Sequence, residues 1–131
     1  MRGEGRVKNK EIRMAVQSYK DLIVWQRAME LVTQIYKETK SFPKEEMYGL
    51  TSQLRRAAVS IPSNIAEGHA RKGTAEFRNF LSIARGSLAE VETQLLISLN
   101  LNYLDQTRLA QLMAIQIEVN KMVNALMQKL V

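Results

Sequence analysis

Gln53, Arg56, Ser60, Ser63 and Glu67 follow one another at steps of three and four, a spacing that puts them on one face of a helix. A second ladder of the same kind runs Arg78, Ser82, Arg85, Ala89 and Glu92. Both alternate long charged side chains with small ones. Helices built this way can approach closely, and an arginine can meet a carboxylate through two parallel hydrogen bonds. Spacing alone leaves two readings open: a solvated face with incidental salt bridges, or a polar contact between subunits. Arg55, Arg71, Lys72 and Arg78 are not absorbed by such pairing. Residues 50–89 hold six basic and two acidic residues, a local net of +4, and repetition in an oligomer would multiply that field toward polyanions.

Reaction chemistry is harder to assemble. The one histidine, His69, falls where a helix should end, a place where imidazole commonly interacts with the helix dipole. There is no cysteine, which removes disulfides, thiolate metal sites and cysteine nucleophiles. The Glu-x-x-His pairs of carboxylate-bridged bundles are missing. Glu67-Gly68-His69 and Glu90-Val91-Glu92 are spaced wrongly to converge on one ion. No phosphate loop, dinucleotide fingerprint or nucleophile elbow occurs. No catalytic residue, metal ligand or cofactor is expected, and the chain does not read as an enzyme.

The elements that must carry the two ladders are helical throughout. Ser18 and Asp21 resemble a capping box that opens a first helix, with Leu22, Trp25, Met29, Val32, Ile35, Tyr36 and Thr39 recurring at three and four. Ser41-Phe42-Pro43 breaks it, since proline suits the first turn of a new helix. Met47, Leu50, Leu54, Ala57 and Ile61 continue as a second pattern that turns polar or small at Asn64 and Gly68. Thr74 is expected to cap a third helix, with Glu76 favoured by the helix dipole. Its stripe runs Phe77, Leu81, Ala84, Leu88, Val91, Leu95 and Ser98. Asn102 should end it in the left-handed conformation. Asp105 caps a fourth helix carrying Leu109, Leu112, Val119, Val123, Leu126 and Leu130. Short links force antiparallel neighbours, so the spacing predicts an all-α, up-down-up-down four-helix bundle over 18–131.

Residues 1–17 hold five of the 19 basic residues and are expected to form a flexible basic tail; Met1 and Met14 are alternative starts. The whole chain has 131 residues and a formal net charge of +6, a balance that favours RNA, DNA or an anionic membrane surface. No apolar run reaches the ~20 residues of a membrane span, and the N-terminus lacks a signal peptide's apolar stretch, so a cytoplasmic location is expected. The third helix ends in "LLISLNL", and the fourth adds Met113, Ile115, Ile117, Met122 and Met127 outside its main stripe. Apolar surface beyond one stripe predicts self-association. Pro62 removes one backbone hydrogen bond at a cost of ~3 kcal/mol, yet Ile61 and Ile65 keep their phase across it. The second helix is therefore expected to be continuous but kinked at Pro62, with Ser60 and Ser63 placed to satisfy the freed carbonyl of Ala58.

"YKDLIVWQRAMELVTQIYKET" (19–39), "FPKEEMYGLTSQLRRAAVSIPSNIAEGHAR" (42–71) and "EFRNFLSIARGSLAEVETQLLISLNLNYL" (76–104) resemble, in order and spacing, a bacterial four-helix bundle family. It includes proteins encoded in 23S rRNA intervening sequences and is related to the accessory variability determinant of diversity-generating retroelements. The core "SQLRRAAVSIPSNIAEG" is the most specific part. The resemblance implies an antiparallel bundle assembled as a homopentamer with a basic surface. It also implies nucleic-acid binding, with RNA favoured over DNA, a reverse transcriptase as partner in the retroelement branch, and no enzymatic activity. By motif, Gln53, Arg56, Ser60, Pro62, Asn64, Glu67, Gly68, Arg85, Gly86, Ser87 and Glu90 carry over as structural or interface positions. Asn102 departs from relatives, which have glycine there. Two function classes follow: an oligomeric nucleic-acid-binding accessory protein that contacts polyanions through Arg55, Arg71, Lys72 and Arg78, or a protein–protein scaffold whose charge is incidental.

Overall fold

The computed structural model describes residues 18–130; the expected basic tail, 1–17, lies outside the described residues. Four helices form: α1 (Ile23–Thr39), α2 (Leu50–Ala70), α3 (Thr74–Asn100) and α4 (Gln106–Lys129). Each packs on its chain neighbour, and α1 closes the ring against α4. This is the expected bundle. Leu31, Ile35, Leu54, Ile61, Ile65, Leu81, Leu88, Val91, Leu95, Val119 and Val123 form its fully buried centre. The third-helix stripe is buried as its spacing demands, except Phe77, which is half-buried.

Two ends follow the anticipated chemistry closely. Asn102 adopts φ 62°, its N–H donates to Leu99 O at 3.0 Å, and the Tyr103 N–H donates to Ser98 O at 2.8 Å. These are the two bonds of a Schellman cap, which asparagine tolerates nearly as well as glycine. Asp105 accepts the Arg108 N–H at 2.8 Å and starts α4.

Other ends differ. Ser18 caps only a 3₁₀ turn, Tyr19–Asp21, and the extended conformation of Leu22 delays α1 to Ile23. Thr74 is the first helical residue of α3, and Gly73 stands at the cap with no side-chain bond. Pro43 precedes a 3₁₀ turn, Lys44–Glu46, so α2 begins only at Leu50, leaving Met47 exposed. Glu46 then serves α2 from outside: Oε1 accepts the Leu50 N–H at 3.1 Å and Oε2 accepts the Tyr103 hydroxyl at 3.0 Å.

The buried line of α1 is Val24, Ala28, Leu31, Ile35 and Thr39, one residue away from most of the expected stripe. Both lines satisfy three-and-four spacing. The one with the small Ala28 faces inward, while Trp25 and Val32 pack on its flank and Met29 and Tyr36 are exposed. On α4, Gln116 and Met127 are buried, whereas Leu126 and Leu130 are only half-buried.

Helix α2 runs uninterrupted through a buried Pro62. Ser60 and Ser63 do not serve the Ala58 carbonyl. Ser60 Oγ instead accepts from Ser87 Oγ of α3 at 2.8 Å and from Asn64 Nδ2 at 2.9 Å, while Asn64 Nδ2 also donates to Ser60 O at 2.8 Å. The proline segment is tied to α3 by a serine pair. Further along, a Cβ on Gly68 would stand 2.7 Å from Phe80 Cβ, so glycine permits this close crossing.

Candidate nucleic-acid interface

The four basic residues left over by the sequence ladders fall at two ends of the bundle. Arg55 lies near the start of α2. Its Nε donates to Thr39 Oγ1 at 2.9 Å and its Nη2 to Tyr36 O at 3.4 Å, with the guanidinium 4.6 Å from the Tyr36 ring centroid. Arg55 thus closes the C-terminal turn of α1, where free carbonyls attract a cation. Arg78 does the same for α4, donating from Nε to Met127 O at 3.1 Å.

Arg71 and Lys72 occupy the turn between α2 and α3, and both are exposed. Arg71 pairs with Glu67 at 3.1 Å and lies 5.0 Å from the centroid of Phe80. Stacking and an exposed ion pair hold it loosely, since such a pair is worth about 0–1 kcal/mol. Lys72 takes part in no ion pair among the described residues. Next to them His69 meets Phe77 edge-on, with centroids 5.7 Å apart.

Antiparallel packing brings two chain segments to this end. The turn carries Arg71 and Lys72, and α4 finishes there at Lys129, as the Arg78–Met127 bond shows. Tyr19 and Trp25 share a surface groove with Pro62 and Ala66 of α2. Residues 1–17 contain five basic and two acidic residues, +3 of the total +6, so the rest of the chain carries the other +3.

The two ladders do not face each other. Arg78 and Arg85 both turn toward α4, Arg85 Nη1 donating to Asn124 Oδ1 at 3.2 Å. The α3 residues that oppose the α2 ladder are Ser87, Glu90 and Gln94. With Gln53, Arg56 and Ser60 they line an open groove of about 490 Å³, with Tyr48 at its rim. Four ion pairs form among the described residues, Arg27–Glu30, Arg27–Glu118, Arg71–Glu67 and Arg108–Glu38, and neither Arg56 nor Glu90 joins one. Gln94 Oε1 is buried beside this groove without a hydrogen-bond donor. Of the expected interface set, Pro62 is buried and Asn64 half-buried within the protomer, while Gln53, Arg56, Glu67, Arg85 and Glu90 are exposed. Sequence spacing missed Gln94 and Tyr48, because nothing in it tells which flank of α3 meets α2.

No three His, Asp or Glu side chains come together as a metal site among the described residues. No described helix is long and apolar enough to cross a membrane.

The family model for the 23S rRNA-intervening sequence protein matches residues 20–125. No curated protein matches the sequence. Among solved structures, the chain is similar to a protein with unknown function from the S23 ribosomal protein family of Bacteroides thetaiotaomicron. The TM-score is 0.73 and the identity 23%, with 80% of this chain and 98% of that one covered. At that identity the likeness supports the fold alone.

Proposed function

The chain belongs to the 23S rRNA-intervening sequence protein family, and from that premise we propose that it is a non-enzymatic, oligomeric accessory protein that binds structured RNA. The observation that carries this reading is the exposed positive charge at one end of the bundle. Arg71 and Lys72 are exposed there. Arg55 is already engaged with the Thr39 hydroxyl and the Tyr36 carbonyl, and Arg78 with the Met127 carbonyl, so they contribute field more than contact. Phosphate contacts of this kind fix orientation without reading sequence.

Self-association is part of the proposal, with five copies the number implied by the family resemblance. Leu96, Leu101 and Ile117, on α3, its C-terminal cap and α4, are each 45–48% exposed. Covering them with further copies would remove apolar surface from water and repeat the basic end around a ring. A reverse transcriptase, implied by the retroelement resemblance, is a protein partner to be sought by co-purification.

The double substitution Arg71→Ala, Lys72→Ala tests the placement. Both side chains sit in an exposed turn, so the mass in sedimentation should stay unchanged while RNA affinity falls by roughly tenfold or more, through the loss of two phosphate contacts. Unchanged affinity would remove this end of the bundle from the interface.

A further inference from the structure

The groove between α2 and α3 holds opposite charges that do not use each other. Arg56 lines it from α2 and Glu90 from α3, and neither is ion-paired among the described residues. Gln94 lines the groove beside them, its Oε1 buried and without a donor. Tyr48, at the rim, is 94% exposed, an uncovered ring of the kind on which bases stack. The volume of about 490 Å³ lies within the range of small-ligand sites.

Resting on the RNA-binding reading above, we propose that this groove takes an unpaired guanine base of the bound RNA. Guanine's Watson–Crick edge offers the N1–H and N2–H donors beside the O6 acceptor. The two carboxylate oxygens of Glu90 suit the two donors, and the Arg56 guanidinium suits O6. Adenine and uracil present no such pairing of two adjacent donors with an acceptor. Tyr48 supplies the stacking face, which is how unpaired RNA bases are usually held. Arg56 lies fifteen residues before Arg71, so the groove and the basic turn are separated by about 22 Å along α2. A single strand could run from one to the other.

The test compares two single-stranded oligonucleotides of about a dozen residues, one all adenosine and one with a single central guanosine, each titrated against the full chain. The guanosine strand should bind roughly tenfold more tightly, as expected for one well-made multidentate base contact. Glu90→Gln should erase that ratio while leaving the salt dependence intact, and Tyr48→Ala should weaken both strands. Both substituted side chains are exposed, so circular dichroism should show unchanged helix content. Equal affinity of the wild type for the two strands overturns the guanine site and leaves RNA binding standing. No binding of either strand, with a structured rRNA fragment also unbound, overturns both. A change of sedimentation mass in Glu90→Gln without a change in the ratio would mean that a second copy of the chain occupies the groove, and would equally overturn the proposal.

Discussion

Two glycines, one on α2 and one on α3, should respond in opposite directions to the same change. At Gly68 an added methyl meets Phe80 Cβ at 2.7 Å and Phe77 Cδ1 at 3.0 Å. The Phe80 Cβ is fixed to the backbone and cannot swing away. Overpacking of ~1–3 kcal/mol should outweigh the gain of ~1 kcal/mol in helix propensity. Gly68→Ala is therefore expected to lose stability in urea unfolding, whereas a gain would mean the α2–α3 crossing is looser than it looks. Gly86 has nothing within 4 Å of that position, so Gly86→Ala should stabilise the protomer by about 0.5–1 kcal/mol. Tyr103 gives a pH signature. Its hydroxyl donates to Glu46, and this bond, with burial and the nearby carboxylates, pushes its pKa above the ordinary value of 10.0. A raised folded pKa stabilises fully below the unfolded value and is lost as pH climbs through the folded one. Wild type should lose more stability above pH ~10 than Tyr103→Phe; parallel curves would contradict the contact.

The helices show which signals a sequence carries and which it does not. The α3 stripe, the Asn102 cap and the Asp105 cap were all legible, because each depends on neighbours a few residues away. The buried face of α1 was not. Two adjacent lines of apolar residues satisfied the same spacing, and only packing against three other helices selects the one through Ala28. The candidate site divided likewise. Its α2 half was legible from the Gln53–Arg56–Ser60 spacing, and the family motif named Ser87 and Glu90 on α3, but spacing alone pointed to Arg85 and Glu92. The side of α3 that meets α4 is a tertiary fact, and α4 claims Arg78 and Arg85. Pro62 remains testable at this scale. Replacing it with alanine removes roughly two buried methylenes, a loss of about 1.5 kcal/mol, and relieves an interior-proline cost of about 3 kcal/mol. Pro62→Ala should therefore hold or raise both helix content and the urea midpoint. A clear loss would show that the proline ring is needed by the protomer's own packing. If sedimentation mass falls while stability holds, the proline serves assembly.

Across the whole molecule, charge and apolar surface are distributed on different parts. Exposed positive charge, Arg71 and Lys72, sits where α2 turns into α3, while Leu96, Leu101 and Ile117 expose apolar surface toward the far part of α3 and on α4. Such a division allows assembly along one side and polyanion binding at one end. Sedimentation equilibrium should give a mass several times the 15.0 kDa of one chain, and a clean monomer at micromolar concentration would contradict self-association. The most direct measurement is the affinity of the full chain for a structured 23S rRNA fragment across a salt series. Contacts to phosphates release counterions, so log affinity should fall linearly with log salt, with a slope of about 0.7–0.9 per phosphate neutralised. RNA binding through the basic end predicts a steep slope that becomes shallower by about 1–2 in Arg71→Ala, Lys72→Ala. A flat salt response, or no binding at low salt, would contradict it and leave a protein scaffold as the reading of the bundle.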